Sequence, residues 1–306
     1  MYIMICGASG MIGSALFEAL NAHHNLTVVG RDKSILEKRF QGVGCYSWQE
    51  LTLDLLASQD AVINLSGENI GSKRWSEKQK KRILNSRIHA THTLASLCAL
   101  LGKNAPRLLN ASAIGVYGLP ESLAAQKKRV FDGSSTLPLK PSDFLSEVGV
   151  QWESALNIAE DAGISVVKLR FGVVLSAQGG ALKKMLPSFR LGLGAKIGSG
   201  EQPFSWVALD DVVLAIEFLL NHPAEEGVFN IVADGVVTQL QFAEKLAAHL
   251  RKPCFMSLPR VLIKLLFGQM GEELLLSGQS VRAVRLQALG FAFSCPTLDA
   301  AFNQLL

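Results

Sequence analysis

The chain has 306 residues, 49% of them hydrophobic, with 30 basic and 26 acidic side chains. That length and apolar content bury a large core and exclude a disordered or fibrous chain. The net charge of +4 is spread along the sequence, which excludes the strong field of a dedicated nucleic-acid binder.

The N-terminal stretch MYIMICGASGMIG lacks a basic flank and is soon interrupted by glycine, so it predicts no leader peptide. No apolar run is long enough to span a bilayer. The cysteines, Cys6, Cys45, Cys98, Cys254 and Cys295, are scattered without a CxxC pair, which fits reduced thiols in the cytoplasm. Short apolar runs at Tyr2 to Cys6, Leu26 to Val29, Ala61 to Leu65, Arg107 to Ala111 and Val166 to Phe171 predict buried parallel strands. Between them, helical patterns run from Ile12 to Ala22, from Trp75 to Leu101 and from Glu147 to Ala162. This alternation implies right-handed βαβ units and an α/β fold with a doubly wound parallel sheet. From about residue 175 the chain turns glycine-rich and basic, which predicts a long loop-rich insertion. A strand over Phe229 to Ala233 and helices over Leu240 to Leu250 and Arg260 to Phe267 follow. The expected organisation is a larger α/β domain over residues 1–172, its sheet completed by parts of 205–233. A smaller, mostly helical C-terminal substrate lobe covers 173–306.

The strongest chemical signal is Gly7-Ala8-Ser9-Gly10-Met11-Ile12-Gly13, lying between a predicted strand and a predicted helix. Gly7 permits the tight turn, Gly10 lets a pyrophosphate approach the backbone, and Gly13 lets the helix pack on the strand. Unpaired N–H groups at the helix start then meet the phosphates. This is a Rossmann-type signature. At the end of the second strand Arg31 offers a planar fork for a 2′-phosphate, so NADP(H) is favoured over NAD(H). Asp32 is near enough to serve a ribose and keeps NAD(H) open. A solvated loop arginine is the plainer alternative.

GASGMIG, then DAVINLSGENI over 60–70, then LLNASAIGVYG over 108–118 resemble successive segments of extended short-chain dehydrogenase/reductases. More narrowly, KRWSEKQKKRILNSRI, LRFGVVLSAQGGALKKMLPSFRLGLGAKIGSG, WVALDDVV and LLLSGQSVRAVRLQALGF resemble an atypical branch labelled sugar-nucleotide epimerases. That branch includes YfcH-like and SDR family 39U-like proteins. The resemblance covers essentially the whole chain. It implies that Gly7, Ser9, Gly10, Met11, Ile12 and Gly13 surround the pyrophosphate and that Arg31 takes the adenosine phosphate. Leu65, Ser66 and Gly67 would pass beside the adenine-side ribose, and Ser112 would end near the nicotinamide. It also implies a small-molecule substrate such as a nucleotide sugar, and a homodimer. Some relatives carry a cell-division label.

The chain departs from the usual pattern at the YxxxK pair, whose slot reads Phe144-Leu145-Ser146-Glu147-Val148. Phenylalanine and valine supply neither the proton-exchanging hydroxyl nor the ammonium that lowers its pKa. The candidate substitutes are Tyr117, Glu68, Ser112 and Arg170, in falling order. Each has a plainer reading: a packing tyrosine, a solvated carboxylate, strand-end turn chemistry and a paired buried charge. Lys183, Lys184, Arg190 and Lys196 are candidates for a substrate diphosphate or a solvated basic loop. The i, i+3 pair His89 and His92 lacks further ligands for a metal site. Trp75, Lys78, Lys80, Lys81 and Arg82 read as a helix turn facing water rather than a nucleic-acid patch, and Asp210–Asp211 as a helix start. Two functions remain open. One is an NADP(H)-dependent oxidoreductase or nucleotide-sugar epimerase; the other is a catalytically quiet NADP(H) sensor or scaffold that binds a protein partner, with a link to cell division implied by the label of those relatives.

Overall fold

The computed structural model describes residues 1–306. Seven parallel strands form the central sheet: β1 (Tyr2–Cys6), β2 (Asn25–Gly30), β3 (Gly44–Ser47), β4 (Ala61–Asn64), β5 (Arg107–Ala113), β6 (Val166–Phe171) and β7 (Gly227–Ile231). Their spatial order is β7-β6-β5-β4-β1-β2-β3. The order reverses between β1 and β4, and ligands of open α/β sheets bind outside the carboxyl ends of the strands at such a point.

The strands are legible as apolar runs because both faces are covered. Ile3 and Ile5 join one large core cluster, while Met4 and Cys6 join a second on the opposite face. The helix predicted over Glu147 to Ala162 is two helices, Phe144–Ser154 and Asn157–Asp161. The break lets Trp152 enter the first cluster while Leu156 and Ala159, fully buried, enter the second. The glycine-rich insertion also departs from its loop reading. It contains the helix Gly180–Arg190, whose Leu182, Leu186 and Phe189 bury one face despite Pro187, followed by the strand Ala195–Ile197.

C-terminal segments close over the strand ends. Ser205 Oγ donates to the Gln279 carbonyl at 2.7 Å and accepts from the Val281 amide at 3.1 Å, and Gln279 Nε2 donates to the Gly118 carbonyl at 3.2 Å. Buried Asp211 accepts the amides of Ser294 and Cys295 at 2.6 and 3.0 Å. No helix is long and apolar enough to cross a membrane.

The helix Phe144–Ser154 lies against the turn Ile114–Tyr117 at a glycine: a Cβ on Gly149 would stand 2.8 Å from Val116 Cα. Gly149→Ala must therefore part helix and turn. It is expected to lower the unfolding free energy by about 1–3 kcal/mol, read as an earlier midpoint in urea. An unchanged midpoint would mean that this contact is not a tight one.

Candidate dinucleotide site

The glycine loop closes on itself and on β4. Gly7 has φ +84°, and a Cβ there would lie 2.9 Å from the carbonyl carbon and oxygen of Leu65. A Cβ on Gly13 would lie 2.4 Å from the Gly7 carbonyl oxygen, whereas one on Gly10 would meet only that oxygen, at 3.4 Å. Two of the glycines are thus required by packing, and the third leaves its outer side open. The helix Met11–Leu20 begins at Gly10 with no side-chain cap and no acid in its first turn. Its first amides are left for an anion. Ser9 is exposed, and Met11 and Ile12 are half-buried at that helix start.

Beside the loop, Ser66 carries a buried hydroxyl oxygen with no partner in the chain. Its amide is held by Asn64 Oδ1 at 3.2 Å. Asn64 belongs to a buried network in which its Nδ2 donates to Asn110 Oδ1 at 2.6 Å and to Thr91 Oγ1 at 3.1 Å. A close turn, an open glycine, an uncapped helix start and an orphaned hydroxyl fit a dinucleotide.

Across the switch point, Arg31 after β2 and Glu68 after β4 line a cavity of about 500 Å³ together with Arg82 and Ser86. Arg31 Nη1 lies 4.0 Å from Glu68 Oε2, with the Arg31 side chain 90% exposed. Asp32, the NAD-type alternative, is engaged elsewhere: its carboxylate accepts from Ser34 Oγ at 2.8 Å and from the Ile35 amide at 3.3 Å, capping the helix Lys33–Arg39. Those bonds, the Ser34 hydroxyl first, hold its pKa below the usual carboxylate range. Three residues here escaped the sequence analysis as site groups. Arg82, exposed as the water-facing reading expects, also lines the cavity with Ser86, as i, i+4 spacing allows. Arg39 braces the glycine loop, donating to the Ser9 carbonyl at 3.0 Å and Ser14 Oγ at 2.7 Å. The only sequence signal for Arg39 was a second arginine in the helix following Arg31.

At the end of β5 the candidate acids have partners within the chain. Ser112 is 2% exposed, and its hydroxyl donates to Glu153 Oε1 at 2.6 Å. Glu153, another residue missed, forms a two-pronged ion pair with Arg170, at 2.8 Å from Nε and 2.7 Å from Nη2. Arg170 thus has the partner its burial demands. Burial by itself disfavours its charge, but the bonds to Glu153 outweigh it and the net shift is upward. Tyr117 is 4% exposed, stacked on Phe131 and lying under Arg170. Its hydroxyl is 2.7 Å from both the Asp132 carbonyl and Asn230 Oδ1 and gives its one proton to one of them. Burial raises the phenol pKa, with Arg170 opposing. Both hydroxyls are thus engaged by acceptors of the chain, whereas Glu68 faces the cavity opposite Arg31.

The slot of the absent tyrosine and lysine is filled. Phe144 and Val148 pack with Trp75 and Ile83 in a buried apolar cluster edged by Met270 and Leu274, and the Trp75 and Phe144 rings meet edge-on at 4.9 Å. Glu273 accepts the Phe144 and Leu145 amides at 3.2 and 3.0 Å, and so pins the slot shut from the C-terminal segment.

Residues 3–232 match the NAD dependent epimerase/dehydratase family, and residues 258–305 match a domain of unknown function, DUF1731. The chain belongs to the NAD dependent epimerase/dehydratase family. This epimerase-family chain is 36% identical to human epimerase family protein SDR39U1 over 309 residues, covering all of both chains. It is 36% identical to epimerase family protein MT2273 of Mycobacterium tuberculosis, over 98% of this chain and 96% of that one. The crystal structure of human SDR39U1 (isoform 2) with NADPH superposes with a TM-score of 0.85 at 34% identity, covering 100% of this chain and 99% of that one. A nucleoside-diphosphate sugar epimerase from Corynebacterium glutamicum gives 0.78 at 27% identity, covering 100% of this chain and 58% of that one.

The basic side chains of the epimerase-family chain's insertion have separate surroundings. Lys183 and Arg190 are exposed, Lys184 Nζ donates to the Gly71 carbonyl, and Lys196 lies in the strand Ala195–Ile197. His89 and His92 are exposed on the long helix Glu77–Leu101.

Arg170→Leu leaves Glu153 buried without its counter-ion and is expected to cost about 3–5 kcal/mol of stability. Tyr117→Phe removes one buried hydrogen bond and is expected to cost about 0.5–1.5 kcal/mol. Both are read by urea unfolding. A negligible cost for Arg170→Leu would contradict the structural role of the pair.

Proposed function

We propose that the chain binds NADP(H) in preference to NAD(H) and works as an epimerase-like oxidoreductase on a nucleotide sugar held between the sheet and the C-terminal lobe. The observation that carries the coenzyme reading is the convergence of Arg31 and Arg82 on the cavity beside the glycine loop, with Asp32 withdrawn into a helix cap. Two guanidinium groups against one carboxylate, Glu68, suit an extra phosphate on the adenosine ribose. The amides of Met11 and Ile12 would hold the pyrophosphate, Arg39 would keep the loop in shape, and the Ser66 hydroxyl would gain the partner it lacks. When bound, the nicotinamide ring supplies hydride exchange. Glu68 in this reading is a coenzyme-side carboxylate rather than an acid, and Ser112 and Tyr117 hold the end of β5 in place. The substrate reading rests on family membership alone.

The apolar filling of the tyrosine slot favours a second reading, a catalytically quiet NADP(H) sensor that presents a surface to another protein. The two readings share the coenzyme and differ in turnover. Calorimetry with NADPH and NADH is expected to show tighter NADPH binding, with Arg31→Ala weakening NADPH by about tenfold or more, the scale of a charge-assisted hydrogen bond. NADH should be nearly unaffected. Equal binding of the two would remove the NADP(H) preference. Absorbance at 340 nm with added nucleotide sugars then separates the readings: a substrate-dependent change supports the oxidoreductase, and none across a panel supports the sensor.

A further inference from the structure

The helix Arg260–Phe267 in the C-terminal lobe turns its apolar side outward. At about 100° per residue, Val261, Leu265, Leu262 and Leu266 fall in one stripe, whereas Ile263, the helix's one buried residue, points the other way. Val261 is 77% exposed and Leu265 71%. A stripe of this kind ordinarily faces a core, and nothing in the chain covers this one. Arg260 and Lys264 flank it, both paired with Glu272. The helix is fixed near its end, where Arg74 Nη2 donates to the Leu265 carbonyl at 3.2 Å.

The neighbouring strands extend the surface. Met256–Leu258, just before the helix, pairs in parallel with Ala195–Ile197, Met256 standing opposite Ala195. That register sets Phe255, 78% exposed, beside Gly194 and the exposed Leu193. The two segments so joined also share an unusual charge. Residues 176–200 carry Lys183, Lys184, Arg190 and Lys196, and residues 250–271 carry Arg251, Lys252, Arg260 and Lys264; of the chain's 26 acidic residues, neither stretch holds one. Exposed aliphatic and aromatic side chains set among cations are what a surface lying in the headgroup region of an anionic membrane requires.

We propose that this face docks on an anionic lipid surface. Eight residues are far too few to span a bilayer, which takes about 20, so the helix lies in the membrane plane. Its aliphatic stripe and Phe255 enter the headgroup boundary, and Arg251, Lys252 and Arg260 meet the lipid phosphates. A second copy of the chain is a poorer occupant, because a self-complementary contact would set like charges against each other. The inference is independent of the coenzyme reading.

Co-sedimentation of the intact chain with vesicles tests it, using phosphatidylcholine alone and phosphatidylcholine with about a third phosphatidylglycerol. Wild type is expected to bind the anionic vesicles about tenfold or more tightly than the neutral ones, and added salt should weaken that binding. The double variants Val261→Asp/Leu265→Asp and Arg251→Ser/Lys252→Ser are each expected to lose about tenfold or more. Leu100→Asp places the same charge at an exposed leucine ending the long helix Glu77–Leu101, and should stay within about twofold of wild type. All these positions are exposed, so the urea midpoints should match and a loss of binding is not a loss of fold. No binding of wild type to anionic vesicles, equal binding to both lipids, or an equal loss in Leu100→Asp would overturn the proposal. A lipid-free dimer that Val261→Asp/Leu265→Asp dissociates, with no vesicle binding, would give the face to a second copy instead.

Discussion

The site depends on how closely the end of β4 runs past the first glycine. With the Gly7 Cβ position only 2.9 Å from the Leu65 carbonyl, no other residue lets the two strand ends meet in this register. Because Gly7 is also left-handed, at φ +84°, a side chain would be strained even before it struck β4. Everything beyond β4 takes its place from that contact. Ser66 is set beside the loop, Gly67 against Arg87, and Glu68 opposite Arg31. A single backbone approach therefore couples the loop that suits a pyrophosphate to the arginines that suit the remaining charges.

Two buried polar networks hold the neighbouring strand ends. Asn64, Asn110, Thr91 and the Trp152 indole tie β4, β5, the long helix and the helix Phe144–Ser154 together. Ser112, Glu153 and Arg170 tie β5 and β6 to the same helix. Buried networks of this kind are costly to disturb and favour one arrangement, and in these two only Arg170 Nη1 is left without an acceptor. They also explain why the polar residues at the end of β5 serve the fold: each hydroxyl already has a carboxylate, amide or carbonyl oxygen as its acceptor. The apolar cluster around Phe144 completes the change. In place of a tyrosine and lysine facing the cleft, the helix presents rings and branched side chains to Trp75 and Met270.

Much of this was legible in the sequence, for physical reasons. β1, β4 and β6 announce themselves because strands covered on both faces are mostly apolar, and the glycine triplet because only glycine meets the contacts at Gly7 and Gly13. β3 did not, since Gly44–Ser47 is a short edge strand with only Cys45 buried. The helix Gly180–Arg190 was hidden by its glycine and proline content, although Leu182, Leu186 and Phe189 keep helical spacing. Strand alternation could not say which way Ser112 points, and proximity in sequence could not reveal that Glu153 lies behind it, 41 residues on. Arg82 read as a water-facing cation because Glu68, which lines the same cavity, comes from a strand end that only the fold brings near.

The central claim is that the loop from Gly7 to Gly13 and the strand end from Leu65 to Glu68 act together as one dinucleotide seat. The most direct test is amide hydrogen exchange of the intact chain with and without NADPH, resolved by peptide. Slowed exchange in both segments, together with the stretch around Arg31, is the predicted result. Exchange unchanged in both segments at a saturating concentration of NADPH, or protection confined to surfaces elsewhere, would contradict it.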